Sequence, residues 1–214
     1  SIVGNYASPE TPGSAYVLLH HVFGEVDGEK GAWGHAVGGM GSITQIMKNV
    51  CENKGVEIAT NSSVEKIIIE NNKAKGVILE DGSNILSDRV VSNLNPKLLF
   101  QRLVSKNDVD PEYLRKILNY KCGSGTFRMN VALSELPDFK CLPGKDIAEH
   151  HKSGIVIAPS LSYMDQAYTD AKQFGWSRNP IVEMLIPSSV DSTLAPEGKH
   201  VASLFCQQFA PKLP

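Results

Sequence analysis

The sequence lacks the features that would assign it directly to a membrane, nucleic-acid-binding or secreted class. Its formal net charge is −2, and Lys and Arg are scattered, so there is no electrostatic case for nucleic acid or an anionic membrane. No apolar run approaches about 20 residues, and no signal-peptide pattern opens the chain, so we predict no transmembrane segment and no secretion. These absences favour an intracellular protein, in the cytoplasm or a mitochondrial matrix, with peripheral membrane contact left open.

Cysteine and histidine are too dispersed to predict a metal site. The cysteines form no C-x-x-C pair, and we expect reduced thiols, with two disulfides or a zinc site as minor alternatives. His20-His21 and His150-His151 are sequence neighbours, and neighbouring side chains point in different directions on a helix or strand. The cysteines are Cys51, Cys122, Cys141 and Cys206.

Catalytic motifs are also missing. The sequence has no G-x-S-x-G elbow, no H-E-x-x-H and no prominent carboxylate pair, so it identifies no catalytic residue. Gly39-x-Gly41 invites a dinucleotide-binding interpretation, but no apolar strand precedes it and Thr44 occupies the third glycine position. A tight turn entering a helix is the better interpretation, although glycines there let a ligand approach backbone N–H groups closely.

The two ends of the chain carry no terminal signals. The chain opens at Ser1 without an initiator Met and stops at Pro214 without a clear terminal element. Its 214 residues are enough for one large domain or two small ones. We expect a fragment of a longer protein.

What the sequence does contain is a helix preceded by a glycine-rich turn. Gly38-Gly39-Met40-Gly41 leads into Ser42, which forms a capping-box pattern with Gln45. Apolar residues then recur at i, i+3, i+4, i+7 and i+8, which predicts a helix with one apolar face, ending at Gly55. These apolar residues are Ile43, Ile46, Met47, Val50 and Cys51.

Short strands and turns follow this helix. Asn71-Asn72 and Asp81-Gly82 are typical of hairpin turns. The element order predicts a β-meander inserted between the strands of an α/β sheet. The predicted strands are 56–60, 64–70, 74–79, 84–86 and 88–92.

The remaining residues predict further helices and strands around this module. Asp110 followed by Pro111 is typical of a helix start. We predict that residues 25–34 form a turn-rich linker. The predicted helices are 15–23, 97–104, 111–119 and 161–174, and the predicted strands are 126–133, 154–159, 180–187 and 200–207.

Three stretches carry a family resemblance. The string PGSAYVLLHHVFGEVDGEKGAWGHAVGGMGSITQIM, then GVEIATNSSVEKIIIENNKAKGVILEDG and DRVVSNLNP, resembles successive blocks of the phytoene-dehydrogenase-like flavoproteins, within the amine oxidase and carotenoid desaturase superfamily. The resemblance is strong over residues 12–96 and looser, though collinear, over 97–214. It implies an FAD-dependent oxidoreductase that transfers hydride from an apolar, polyene or lipid-like substrate to flavin.

The resemblance also implies an architecture and a set of cofactor-binding residues. The fold is α/β: a partial Rossmann-like FAD-binding domain with a β-meander (38–96), plus a mixed-sheet substrate-binding domain (1–37 and 97–214). Val64 matches the position whose backbone meets adenine, and Ser92 and Asn93 match the strand end beside the adenosine. Gly39, Met40 and Gly41 match the turn that lies near the flavin and the substrate cavity.

The chain departs from the family pattern because we expect it to lack both the N-terminal phosphate-binding βαβ unit with G-x-G-x-x-G and the C-terminal segment that completes the flavin site. We therefore expect the isolated polypeptide to bind FAD weakly or not at all, to be colourless and to be inert. A homodimer through an exposed sheet edge is a further expectation. Two alternatives remain: a non-catalytic binding module of the same family, and a self-contained α/β domain with an unrelated small ligand.

Overall fold

The structure, a computed structural model, describes residues 6–21, 23–120 and 125–210. Helices and antiparallel sheets occur together, which confirms the predicted mixed α/β class. The chain divides into two compact units: the sheet unit (Ser1–Val50 with Gly123–Pro214) and the meander unit (Cys51–Cys122). The predicted domains divide the chain elsewhere, at 37/38 and 96/97, and their assignment to cofactor and substrate stays a prediction.

The bounds of the elements follow, in chain order. The strands are β1 (Glu25–Val26), β2 (Glu29–Lys30), β3 (Val64–Glu70), β4 (Lys73–Leu79), β5 (Asn84–Leu86), β6 (Thr126–Leu133), β7 (Ile155–Ile157), β8 (Trp176–Leu185) and β9 (His200–Phe209). The α-helices are α1 (Met40–Asn53), α2 (Pro96–Leu98), α3 (Pro111–Asn119), α4 (Glu149–Lys152) and α5 (Leu161–Phe174). A π-helical turn at Leu99–Leu103 continues α2, and 3₁₀ helices lie at Ser14–His21, Lys106–Asp108, Pro187–Ser189 and Ser192–Leu194.

The meander unit contains the predicted β-meander. Strands β3, β4 and β5 pair antiparallel in that order. Asn71 and Asn72 have φ values of 51° and 59°, as a type I′ hairpin turn requires. Gly76 lies opposite Leu86 with φ of 143°, and a Cβ at this position would collide with the carbonyl oxygen of Ile85. Glycine therefore lets β4 and β5 approach closely.

Two predicted strands of this unit are wrong: residues 56–60 and 88–92 have no strand structure. A strand requires a neighbour that pairs with its N–H and C=O groups. Among the described residues, none of the main-chain hydrogen bonds outside the helices and strands involves residues 57–59 or 90–93. Both segments have the amino-acid composition of strands. Within the described residues, however, no neighbouring segment pairs with them.

The start of α1 also differs from the prediction. The helix begins at Met40, whereas the capping-box pattern placed its N-cap at Ser42. Gly38 and Gly39 have φ values of 83° and 80°, so the chain turns before Met40. The Ser42 hydroxyl donates instead to the carbonyl of Gly39 at 2.7 Å. The predicted end is confirmed, because Gly55 has the expected positive φ of 80°.

The apolar face of α1 is present but is not covered within the described residues. No residue of the helix is buried. Ile46 and Met47 are 62% and 61% exposed. The helix therefore owes little of its stability to burial of this face.

The sheet unit is built on a four-stranded sheet in the order β6-β9-β8-β7. Every pairing in it is antiparallel, so the mixed sheet expected here is an antiparallel one. Leu136, Met184, Ile186 and Ala202 form a buried cluster on it. Helix α5 packs against β8, where Ile181 is fully buried.

Helices α3 and α5 are both capped by local side chains, and for α3 the cap at Asp110 was predicted. Asp110 accepts a hydrogen bond from the N–H of Tyr113 at 2.8 Å, and Ser160 accepts one from the N–H of Tyr163 at 3.1 Å. Gly175 ends α5 with φ of 86°. Both helices have the predicted bounds.

Other elements differ modestly from prediction. The predicted linker 25–34 contains the hairpin β1–β2, and the predicted helix 15–23 is a 3₁₀ helix at Ser14–His21, with residue 22 outside the described residues. Cys51, Cys141 and Cys206 are free thiols, and Cys122 lies outside the described residues. No helix in the described ranges combines the length and apolarity needed to cross a bilayer.

Candidate functional site

The meander unit contains a cavity of about 610 Å³, open to solvent on one side, which is lined by its sheet, by residues 90–94 and by the turn after α2. This volume is within the range of small-molecule sites. Its wall is mainly aliphatic, with a few carboxylate, amide and guanidinium groups. The lining residues are Ser63, Val64, Glu65, Ile67, Val77, Glu80, Val90, Val91, Ser92, Asn93, Leu94, Leu98, Leu99, Arg102 and Leu103.

Three of the predicted cofactor-binding residues meet at this cavity. Val64 begins β3, whereas Ser92 and Asn93 lie in the segment between β5 and α2. The Ser92 hydroxyl accepts a hydrogen bond from the N–H of Leu94 at 3.2 Å. Because residues 90–93 make no main-chain hydrogen bond within the described part of the chain, their N–H and C=O groups are available to a ligand.

A π-helical turn forms another wall of the cavity. Leu99 and Leu103, at its two ends, both line the cavity, and Arg102 does so from the same turn. A π-helical turn is rare and frequently occurs at functional sites. Sequence reasoning predicted a helix here but did not distinguish this turn from an α-helix.

The other predicted cofactor-binding residues, Gly39, Met40 and Gly41, belong to the sheet unit and do not line this cavity. Gly39 faces the loop after β8, because a Cβ on it would lie 3.1 Å from Cδ2 of Leu194. Its φ of 80° also disfavours any other residue. Glycine at this position therefore allows the turn to lie against that loop.

Asp191 fixes this glycine turn. Its Oδ2 accepts a hydrogen bond from the N–H of Gly38 at 2.8 Å, and its Oδ1 accepts from the N–H and hydroxyl of Thr193 at 3.0 and 2.6 Å. The side chain is 3% exposed. The hydrogen bonds from Thr193, and then that from Gly38 and the nearby His35, hold the pKa of Asp191 below its usual range. The carboxylate is therefore ionised at neutral pH.

His35 lies beside the same carboxylate. Its Nε2 lies 3.6 Å from Oδ2 of Asp191, and its side chain is 36% exposed. His35 lines a cleft of about 420 Å³ in the sheet unit, together with Trp33 and residues of β8. A histidine beside a buried carboxylate at a cleft is a candidate for ligand binding or proton transfer.

Sequence reasoning missed His35 and Asp191. They lie at opposite ends of the chain, and neither belongs to a recognisable motif. The only local signal was the run Pro187 to Leu194, in which Asp191 caps a 3₁₀ turn. Among the described residues there is no group of three or more His, Cys, Asp or Glu side chains that could hold a metal ion.

Comparison with known proteins places these features in a family. No protein-family model matches the chain. The mouse pyridine nucleotide-disulfide oxidoreductase domain-containing protein 2 is 36% identical over 212 residues, which cover 97% of this chain and 36% of the mouse protein. A 4,4'-diapophytoene desaturase of Methylomonas is 32% identical over 77% of this chain and 30% of its own length.

A solved structure agrees with these sequence relatives. An oxidoreductase from Methanosarcina mazei superposes with a TM-score of 0.57 at 25% identity, covering 82% of this chain and 34% of its own. The chain thus spans about a third of the length of the relatives it matches. From its sequence and its fold together, the chain belongs to the phytoene dehydrogenase-like oxidoreductases.

Proposed function

We propose that the chain is part of an FAD-dependent oxidoreductase that transfers hydride from an apolar, polyene or lipid-like substrate to flavin. The observation that carries this proposal is the meeting of Val64, Ser92 and Asn93 at one cavity. The relatives support the reaction class, since their names include an oxidoreductase and a carotenoid desaturase.

The cavity fits the adenosine part of FAD. Its aliphatic walls, including Val64, Val77 and Leu99, offer apolar contact to a planar base. Within the described part of the chain, the main-chain groups of residues 90–93 make no hydrogen bond to other main-chain groups. They offer the donors and acceptors that the polar edge of a base or a ribose requires. Val64, Ser92 and Asn93 would hold that part of the cofactor.

The glycine turn suits a position near a cofactor and substrate. The turn has no side-chain atoms at Gly39 and Gly41, and the side chain of Met40 between them is 71% exposed. The bond from Gly38 to Asp191 keeps the turn in one conformation. FAD, when bound, supplies the hydride acceptor, and this chain supplies binding, orientation and exclusion of water.

The apolar substrate class is supported by exposed apolar side chains of the sheet unit. Tyr16 in the 3₁₀ helix is 75% exposed, and Phe127 and Met129 on edge strand β6 are 52% and 41% exposed. Apolar groups that remain in contact with water favour binding of an apolar molecule. Both the 3₁₀ helix and β6 lie in the predicted substrate-binding domain (1–37 and 97–214).

The test compares this chain with a polypeptide extended to the length of its relatives. We expect the extended protein to purify with the absorption spectrum of bound flavin, and a polyene such as phytoene to bleach that spectrum without oxygen. We expect the chain alone to be colourless and inert. An extended protein that binds no flavin would support the non-catalytic binding module instead, and stoichiometric flavin on the chain alone would contradict weak binding.

A further inference from the structure

We propose that a groove along helix α3 binds an amphiphilic anion, which is an alkyl chain that ends in a phosphate or a carboxylate group. The groove belongs to the meander unit and has a volume of about 400 Å³, within the range of small-molecule sites. It shares no lining residue with the cavity of the same unit, so this binding does not rest on the proposed function. The lining residues are Lys106, Pro111, Leu114, Arg115, Leu118 and Asn119.

One face of α3 forms the apolar part of the groove. Pro111, Leu114 and Leu118 recur at i, i+3 and i+7, so they lie on the same side of the helix. Both leucines are only half-buried, which leaves apolar surface for an alkyl tail to cover. From Pro111 to Asn119 this face is about 12 Å long, which matches a tail of about eight carbons.

Side chains outside the groove hold α3 in place. Tyr113 packs edge-to-face on Phe100 of the π-helical turn, with ring centroids 5.4 Å apart. Asp110 caps the start of the helix by accepting from the N–H of Tyr113 at 2.8 Å. These contacts fix the helix without using the side chains that line the groove.

Two cationic side chains supply the polar end of the site. Lys106 belongs to the 3₁₀ helix that precedes α3, and Arg115 belongs to α3 itself. Among the residues that the structure describes, neither the Lys106 ammonium nor the Arg115 guanidinium has a hydrogen-bond or ion-pair partner. Both groups donate hydrogen bonds and cannot accept them, so they favour a head group of negatively charged oxygen acceptors.

The carboxylates of this region do not line the groove. Residues 96–120 contain five Lys and Arg against three Asp and Glu, and none of those three carboxylates belongs to the lining. Glu112 lies 2.9 Å from Nζ of Lys116, and Asp110 accepts the N–H of Tyr113. The third carboxylate is that of Asp108. A ligand in the groove therefore contacts charge of one sign only, which attracts an anion and repels a cation.

An NMR titration of the whole ¹⁵N-labelled chain at about 150 mM salt measures this binding. The probe is octyl phosphate below its micelle concentration. 1-Octanol carries the tail without the charge, inorganic phosphate carries the charge without the tail, and octyltrimethylammonium carries the opposite charge. The test variants are Arg115→Gln and Lys106→Gln. Lys116→Gln is the matched control, because Lys116 follows Arg115 on the same helix but does not line the groove.

We expect octyl phosphate to shift the amides of Leu114, Arg115 and Leu118 saturably. It should bind about tenfold tighter than 1-octanol, the factor that two exposed ion pairs supply. Octyltrimethylammonium should bind more weakly than 1-octanol, and inorganic phosphate should give no saturable shift. Both test variants should reduce the preference for octyl phosphate and keep the binding of 1-octanol, whereas Lys116→Gln should keep both. Circular dichroism verifies the fold of each variant.

Equal affinities for octyl phosphate and 1-octanol would overturn the proposal, as would tighter binding of the ammonium or an equal loss in Lys116→Gln. Sedimentation with vesicles of anionic phospholipid distinguishes a free amphiphile from a bilayer surface. A chain that sediments with the vesicles but does not respond to octyl phosphate would also contradict the proposal. None of these outcomes depends on whether the cavity of the meander unit binds FAD.

Discussion

Asp191 accepts a hydrogen bond from the backbone N–H of Gly38, 153 residues earlier in the chain, at 2.8 Å. This bond connects the glycine turn before α1 to the loop after β8, within one compact unit. The same oxygen lies 3.6 Å from Nε2 of His35. One buried carboxylate thus accepts a hydrogen bond from the turn that the family resemblance implies to be near the flavin, and it lies beside the histidine of the neighbouring cleft.

The first prediction concerns that carboxylate. Asp191→Asn removes the charge that the N–H of Gly38 and His35 both face, so the turn should open more often. We expect faster amide hydrogen exchange at Gly38, measured by NMR. Asp88→Asn is the matched control, because that carboxylate is 88% exposed in its pair with Lys75 and should leave Gly38 unchanged. Unaltered exchange at Gly38 in Asp191→Asn would contradict the role given to Asp191.

The second prediction concerns pH. Hydrogen bonds from Arg178, and then from Gln166, lower the pKa of Asp170 to about 2. A carboxylate whose native pKa is depressed contributes stability above its unfolded pKa of about 3.9, and this contribution is lost as pH falls toward about 2. Urea unfolding should therefore separate the wild type from Asp170→Asn at pH 6, with the two curves converging near pH 2. A constant difference across this range would argue against the ionised pair.

The third prediction concerns Gly76. A Cβ there would collide with the carbonyl of Ile85, and the φ of 143° is unfavourable for alanine. Gly76→Ala should lower the free energy of unfolding by about 3 kcal/mol. Gly82→Ala, where φ is 84° and nothing lies within 4 Å of the added carbon, should cost only about 1 kcal/mol. Equal losses in the two variants would show that the close approach of β4 and β5 is absent.

The fourth prediction concerns a fully buried residue of β8. Ile181 is 0% exposed, so Ile181→Ala should cost about 3 kcal/mol through lost burial and a residual cavity. Ile157 on β7 is 48% exposed, and Ile157→Ala should cost less than about 1 kcal/mol. Thermal unfolding by circular dichroism measures both. A small loss at Ile181 would contradict its burial in the sheet unit.

Sequence predicted those elements whose signals are local. The N-cap Asp110 directly precedes α3, and Ser160 and Gly175 directly flank α5, and both helices have their predicted limits. The hairpin at Asn71-Asn72 was predictable because its positive φ values favour asparagine. The strand β6 likewise has its predicted bounds.

Sequence failed where the structure depends on distant partners. Residues 56–60 and 88–92 resemble strands, but pairing is a property of the neighbouring chain and not of the segment. The capping box at Ser42 failed because the bond from Gly38 to Asp191 and the two left-handed glycines start the helix earlier. The proximity of His35 to Asp191 was not predictable, because the two residues are far apart in sequence. Only the family resemblance indicated that Val64, Ser92 and Asn93 belong to one binding site.

The central claim is that the cavity of the meander unit receives the adenosine part of FAD. The most direct measurement is an NMR titration of the ¹⁵N-labelled chain with ADP, with FMN as the ligand that lacks adenosine. We predict saturable shifts of the Val64, Ser92 and Asn93 amides with millimolar ADP, none with FMN, and loss of the response in Val64→Glu but not in Val56→Glu, outside the cavity. Shifts confined to other residues, or no shift with ADP, would contradict the account.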